Sequence, residues 1–198
     1  MGTVKVIEAS RTVYLNGEID DETSVAVCLS LLQMEADAPS ERITLMINSP
    51  GGIVFAGWAI VDTVLLLGHV ETVAVGLCAS MAALVLMAGE PGHRSALPHS
   101  RILIHQPLGA LNLQQTTDLE IQMRDVVRRK QELYDFIVQM TGKTYEIVEA
   151  DCDRNHWLTA QEAVEYGIID YIETPQMQTR YFDLNGIINK RRKEEKHK

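Results

Sequence analysis

Short runs of apolar, often β-branched residues alternate with stretches of helical periodicity through the first half of the chain. Three of these runs, at 43–48 (ITLMIN), 70–77 (VETVAVGL) and 101–105 (RILIH), have the composition of strands, and the first has that of a buried strand. Apolar residues at helical spacing cover 53–67, and 79–88 has the composition of a short buried helix. Because strands joined through helices run in the same direction, this order predicts an α/β fold with a parallel sheet and right-handed crossovers.

Helical and strand patterns continue on both sides of this region. Asp20 or Asp21 can cap a helix that extends to about residue 35, in which Val25, Leu29 and Leu32 recur at helical spacing. The other predicted elements are a strand over 11–19, helices over 116–141, 144–150 and 160–166 (the last with Thr159 and Glu162 spaced as a capping box), and a strand over 168–172. The first of these three helices is long for a compact domain, so we expect it to project.

Charge and composition exclude several classes of protein. The 198 residues are 46% hydrophobic and carry a formal net charge of -9, which argues against general binding to nucleic acid. No apolar run is long enough to span a bilayer, and the first eleven residues lack the apolar core of a secretory signal, so we expect no membrane association and a cytoplasmic location. Three scattered cysteines fit neither a zinc site nor a disulfide framework, and we expect no metal and no cofactor.

The chain is expected to form one domain followed by a charged tail. Residues 1–189 contain neither an internal repeat nor a Pro/Gly/Ser-rich linker, so we treat them as a single domain. The last nine residues, 190–198 (KRRKEEKHK), hold six Lys/Arg and two Glu in an otherwise acidic protein. A terminal charge run of this kind is typical of a solvated, disordered tail, and an interaction tail is the alternative.

Three polar features follow predicted strands. Ser80 lies in the first turn of an apolar helix, where a hydroxyl either caps the helix or serves as a nucleophile, although the G-x-S-x-G elbow is absent. His105 ends an apolar strand at the sheet edge that active sites favour, and a structural histidine is the alternative. The turn SPGG (49–52) lets a backbone approach closely and can direct N–H groups into a site, as well as simply turning the chain.

The segments around these residues resemble those of one peptidase family in order and spacing. The ClpP family, which supplies the proteolytic subunit of the ATP-dependent Clp protease, is similar to this chain in five segments: INSPGG (47–52), GLCASMAALVLMAG (76–89), LPHSRILIHQPLG (97–109), TDLEI (117–121) and LTAQEAVEYGIID (158–170). The resemblance extends from about residue 11 to 174. It implies a crotonase-like (ClpP) fold with stacked β-sheets, repeated ββα units and a projecting handle helix over 116–141.

The resemblance also implies an activity and an assembly. Ser80 would be the nucleophile and His105 the general base of a serine endopeptidase, with the amides of Gly52 and Met81 as the oxyanion hole. Members of the family stack as two heptameric rings around a chamber, with the handle helix between the rings. A AAA+ unfoldase docks on the barrel and feeds in unfolded polypeptides. The chain has no G-x-x-x-x-G-K-[ST] loop, so the subunit itself is not expected to bind ATP.

The third catalytic position departs from the family pattern. The family has an aspartate there, in a D-R-D segment, whereas this chain reads Asp153-Arg154-Asn155. Asn155 can orient the imidazole of His105 but offers no charge to stabilise its protonated form, so we expect a weak or conditional triad. The family uses the neighbouring Asp153 and Arg154 positions for contacts between the rings, and a swing of Asp153 toward His105 is the alternative.

The start of the chain is a further departure. Members of the family usually carry a longer segment that forms axial pore loops, whereas about ten residues precede Arg11 here, which leaves pore gating and unfoldase docking open. Both departures suit a mixed assembly with a second ClpP paralogue. A mainly structural, low-activity ring subunit is the alternative to an active peptidase. An acyl-CoA hydratase or isomerase is a third reading, because the crotonase fold is shared.

Overall fold

The computed structural model describes residues 2–107 and 115–174, and the predicted tail over 190–198 lies outside them. The strands are β1 (Thr3–Ile7), β2 (Thr12–Asn16), β3 (Ile43–Ser49), β4 (Val70–Ala79), β5 (Arg94–Ala96), β6 (Arg101–Ile104), β7 (His156–Thr159) and β8 (Tyr171–Ile172). The helices are α1 (Asp21–Asp37), α2 (Val54–Leu67), α3 (Met81–Met87), α4 (Thr116–Thr141), α5 (Tyr145–Cys152) and α6 (Ala160–Tyr166), with a 3-10 turn at Glu8–Ser10.

The strands form one hydrogen-bonded sheet in the order β1-β2-β3-β4-β5-β8, which forks at β4. Pairing is parallel from β2 through to β8, which confirms the predicted α/β class and the parallel sheet. Residues 72–74 of β4 pair with β5, whereas residues 77–79 pair with β6. Strand β7 then pairs with β6 in the antiparallel direction. The fork therefore brings the end of β4, the end of β6 and the start of β7 together.

Helices α1, α2 and α3 pack in succession beside the sheet. All seven residues of α3 are buried, which accounts for its continuous apolar sequence. The sequence located α1 correctly, but the face of α1 that the apolar spacing indicated is wrong. The buried residues of α1 are Thr23, Ser24, Val27, Leu31 and Met34. The predicted stripe is exposed: Val25, Leu29 and Leu32. Because α1 carries apolar residues on two faces, periodicity alone does not identify the one that meets the core.

Helix α4 has the predicted bounds and two unlike halves. Its 26 residues correspond to a length of about 39 Å. The second half packs on the core through Leu133, Tyr134, Phe136 and Ile137. The first half leaves apolar side chains exposed: Ile121, Met123 and Val127. Gly142, in the left-handed conformation (φ 72°), ends the helix as the sequence indicated.

The last strand is shorter than predicted. Residues 168–172 were expected to form one strand, but only Tyr171–Ile172 do so. The amides of Ile168 and Ile169 instead donate to the carbonyl of Ala163 and close the end of α6. The sequence also gave no indication of three short strands, β1, β5 and β7.

An ion pair fixes this end of the sheet to α4. The Arg94 guanidinium contacts the Asp170 carboxylate at 2.6 Å and donates to the Met140 carbonyl at 3.1 Å. Burial disfavours the ionised carboxyl, but hydrogen bonds from the Arg94 side chain and from the amides of Arg94 and Gly92 outweigh it and hold the pKa of Asp170 below its usual value. The pair therefore contributes to stability in its charged form.

Candidate active site

Ser80 occupies a strained turn between β4 and α3. Its φ of 57° and ψ of -126° are unusual for a residue with a side chain, and such conformations cost about 1 to 3 kcal/mol. Its amide donates to the Leu103 carbonyl at 2.9 Å, and its carbonyl accepts from Ala83. Although Ser80 stands at the N-cap position, its side chain makes no capping hydrogen bond to α3. The hydroxyl is therefore left for another partner.

The pairing of β6 with β7 carries His105 and Asn155 to the same end of the strand pair. In this antiparallel pair Leu103 lies opposite Trp157 and Ile104 lies opposite His156. His105 directly follows β6, and Asn155 directly precedes β7. Strand β7 is thus the element that carries the third predicted position to the histidine.

The three predicted catalytic side chains line one cavity of about 450 Å³. Ser80, His105 and Asn155 form its walls together with Leu103 and the Gly51-Gly52 loop. Within the described residues, no hydrogen bond joins the three side chains to one another. Hydrogen bonds of this kind are often long before substrate is bound, so the shared cavity is the informative observation.

His105 is half-buried, and burial lowers its pKa below the usual histidine value. An imidazole in this environment is neutral at pH 7 and has a nitrogen free to accept a proton. The same burial disfavours the protonated ring that forms when a proton is taken from a hydroxyl. The environment of His105 therefore favours the neutral imidazole that removes a proton, and it stabilises the resulting imidazolium poorly.

The SPGG turn directs the Gly52 amide away from its neighbouring strand. The Ile19 amide donates to Gly51 O at 2.9 Å, and Ile19 O accepts from the Ile53 amide at 2.8 Å. In this parallel bridge both polar groups of Ile19 are used by the residues that flank Gly52. The N–H of Gly52 therefore points away from Ile19, and Gly52 lines the cavity.

Gly51 packs directly on the turn that holds Ser80. A Cβ atom at Gly51 would lie 2.6 Å from the Ala79 carbonyl oxygen and 2.8 Å from the Ser80 Cβ. Its φ of 88° also favours glycine. Only a residue without a side chain allows this close approach between the two loops.

Met81, the other predicted oxyanion residue, has its side chain in the core and is not among the residues that line the cavity. The side chain is 1% exposed and lies against Gly57 of α2. As the first residue of α3, it has an amide with no acceptor inside the helix. The amide of Met81, rather than its side chain, is the group to consider at the site.

Comparison with known proteins agrees with these features. A sequence model of the Clp protease family matches residues 2–176. The chain belongs to the Clp protease family. The ATP-dependent Clp protease proteolytic subunit of Porphyromonas gingivalis is 47% identical over 163 residues, 82% of this chain and 73% of that protein. Proteins of the same name from Bacteroides fragilis strains ATCC 25285 and YCH46 are each 45% identical over 82% of this chain, and cover 78% and 74% of their own lengths. The resemblance to the ClpP family is confirmed.

Two further residues predicted from the Clp protease pattern lie outside the cavity. Asp153 and Arg154 follow α5, are exposed, and pair with each other at 3.6 Å. Gln106 donates to the Asp153 carbonyl at 2.8 Å, which holds this turn beside the residue after His105. In this arrangement the Asp153 carboxylate faces Arg154 rather than His105.

One residue that lines the cavity of this Clp protease chain was not predicted from the sequence as a site residue. Glu18 follows the Asn16-Gly17 turn, which the sequence identified only as a turn. Its proximity to Ser80 depends on the pairing of β2 with β3, which no local motif reveals. In residues 2–107 and 115–174, no group of acidic, histidine or cysteine side chains is arranged to hold a metal ion. No helix in these ranges is long and apolar enough to cross a membrane.

Proposed function

We propose that this member of the Clp protease family is a serine endopeptidase, with Ser80 as nucleophile and His105 as general base. One observation carries the proposal: a serine in a strained strand-to-helix turn, whose hydroxyl does not cap the helix, shares a cavity with a half-buried histidine. A serine whose role was to cap α3 would bond to the helix amides. Membership of the family supports peptide hydrolysis over the acyl-CoA hydratase or isomerase reading of the fold.

In the proposed reaction, the Ser80 oxygen attacks the carbonyl carbon of the scissile peptide while His105 removes the hydroxyl proton. The amides of Gly52 and Met81 donate hydrogen bonds to the resulting oxyanion. His105 then gives its proton to the leaving nitrogen, the C–N bond breaks, and an acyl ester remains on Ser80. A water molecule, deprotonated by the same imidazole, attacks this ester and releases the second peptide with the hydroxyl restored.

Asn155 is proposed to orient His105 through its amide oxygen. An asparagine supplies no charge to stabilise the imidazolium, so the triad is expected to be weak or conditional. The amide can also present its NH₂ group to the ring and favour the wrong tautomer. The ion pair of Asp153 with Arg154 supports Asn155 over Asp153 as the partner of His105. An Asp153→Ala variant that assembles normally but loses activity would reverse this choice.

The proposed assembly is a cytoplasmic barrel of two heptameric rings, to which a AAA+ unfoldase supplies unfolded chains. The exposed apolar residues on the first half of α4, Ile121, Met123 and Val127, support a contact of this helix with the opposite ring. The exposed Asp153–Arg154 pair is available for a second contact between the rings. Mixing this chain with a ClpP paralogue and recovering only homomeric rings would argue against a mixed assembly.

Hydrolysis of a small fluorogenic peptide and of an unfolded protein by the assembled chain tests the proposal. Ser80→Ala and His105→Ala are each expected to reduce turnover by about 10³-fold or more, with the assembly unchanged. His99→Ala is the matched control, because this histidine is exposed and lies outside the cavity. Activity that survives Ser80→Ala would refute the assignment.

The second candidate function is a mainly structural ring subunit with little activity of its own. Asn155 favours it, because the charge of a full triad is missing. Under this alternative the chain would enter rings with an active paralogue, and Ser80→Ala would leave the activity of the mixed particle unchanged. A drop in that activity in proportion to the fraction of the variant chain would favour the active peptidase.

A further inference from the structure

Glu18 is held beside the loop proposed to form the oxyanion hole. Hydrogen bonds on either side of it connect the Gly17 amide to Asn48 O and the Ile19 amide to Gly51 O, each at 2.9 Å. The backbone around Glu18 therefore continues the pairing of β2 with β3 into the SPGG turn.

The side chain of Glu18 is directed to the cavity by alternation. Ile19, the next residue, is fully buried in the core. Because successive side chains of an extended segment point to opposite faces, Glu18 points away from the core. It is exposed and forms part of the same cavity wall as Ser80 and His105.

Among the described residues that line the cavity, Glu18 supplies the only carboxylate. In the part of the chain that the structure describes, no cation pairs with it and no group donates a hydrogen bond to it. Residues 108–114 (LGALNLQ), which follow the His105 segment, contain no charged side chain.

We propose that Glu18 gives this peptidase a charge preference, favouring a lysine or arginine near the scissile bond of the substrate and disfavouring an aspartate or glutamate there. The inference rests on the proposed peptidase function. An exposed carboxylate interacts with a charge about 5 Å away by an amount that corresponds to a three- to tenfold change in rate constant per charge. Changing a nearby substrate residue from lysine to glutamate replaces an attraction to Glu18 with a repulsion. The ratio of kcat/KM for the lysine peptide to that for the glutamate peptide is therefore expected to reach about tenfold or more.

Matched peptide substrates test this preference on the assembled protein. Each set contains three fluorogenic peptides that differ at one position, which holds Lys, Gln or Glu. The varied position differs from set to set and covers every position from three residues before the scissile bond to two residues after it. The Lys-to-Glu ratio of kcat/KM is measured for the wild type, Glu18→Gln and Glu18→Lys. Glu22→Gln is the matched control, since Glu22 is an exposed glutamate of α1 outside the cavity.

The wild type and Glu22→Gln are expected to prefer lysine at one or more positions near the bond. Glu18→Gln should bring that ratio close to one, and Glu18→Lys should invert it. The preference should also shrink as the salt concentration rises, because the charge is exposed. Hydrolysis with the same ratio in wild type and Glu18→Gln would overturn the assignment of Glu18 and leave the peptidase proposal standing. No hydrolysis of any peptide by the wild type would overturn both.

Discussion

Replacing Asn155 with aspartate measures how much the missing charge limits this site. An aspartate at this position would line the same cavity as His105 and could pair with the imidazolium. A unit charge at about 4 Å is worth about 1 kcal/mol in water and about 4 kcal/mol at the effective dielectric of a protein surface. Because residue 155 is exposed and His105 half-buried, we expect about 1.4 to 2.7 kcal/mol, or a ten- to hundredfold rise in kcat/KM.

The assay is the pH profile of kcat/KM for a small fluorogenic peptide, measured for the wild type and Asn155→Asp. The added carboxylate should raise the maximum rate. It should also raise the pKa of His105 and move the acid limb of the profile to higher pH. Gln139→Glu, which adds the same charge on an exposed position of α4, should change neither. If Asn155→Asp leaves both the rate and the acid limb unchanged while assembly is normal, residue 155 does not act on His105 and the reasoning fails.

Three other predictions concern the glycine turns, the partly buried Arg94–Asp170 ion pair and the pKa of His105. Gly51→Ala and Gly92→Ala both place a side chain at a φ near 87°, at a cost of about 1–2 kcal/mol. Only Gly51→Ala should abolish peptide hydrolysis, because nothing lies within 4 Å of a Cβ at Gly92. Equal peptidase activities of the two variants would contradict the close packing of Gly51 on the Ser80 turn. Asp170→Asn should lower the free energy of unfolding in urea by about 2–3 kcal/mol by leaving Arg94 unpaired. Because the pKa of Asp170 is lowered by folding, the wild type should lose the contribution of the ion pair to its free energy of unfolding as the pH falls below about 4, whereas the variant has no such contribution to lose. Equal urea midpoints of wild type and variant at neutral pH would contradict a stabilising role of the pair. For wild-type peptidase activity, the lowered pKa of His105 predicts that kcat/KM rises with pH to a plateau, with a midpoint below the ordinary histidine value of about 6.5; a midpoint above that value would show that burial does not dominate.

The strands and helix ends that depend only on neighbouring residues were predicted from the sequence. The apolar runs at 43–48, 70–77 and 101–105 lie in β3, β4 and β6, and most of their residues are buried, as their composition indicates. The capping box at Thr159 and Glu162 and the glycine after α4 mark helix ends with hydrogen bonds that span only a few residues. In each case the physical cause lies within the segment itself.

Long-range pairing determines the features that the sequence did not reveal. Strand β7 has only four residues and exists because β6 provides an edge for it, so the approach of Asn155 to His105 was predictable from the family resemblance but not from local pattern. Glu18 reaches the cavity through the pairing of β2 with β3. The choice between two apolar faces of α1 likewise depends on which neighbours the helix meets.

Covalent labelling of the assembled protein with a fluorophosphonate, mapped by mass spectrometry, tests the account most directly. The reagent reacts with a serine hydroxyl that a neighbouring base activates and leaves ordinary serines unmodified. We predict one labelled peptide carrying the adduct on Ser80, no label in Ser80→Ala, and much slower labelling in His105→Ala. An intact, assembled protein that takes up no reagent, or one labelled at another serine, would contradict the assignment of Ser80 as an activated nucleophile.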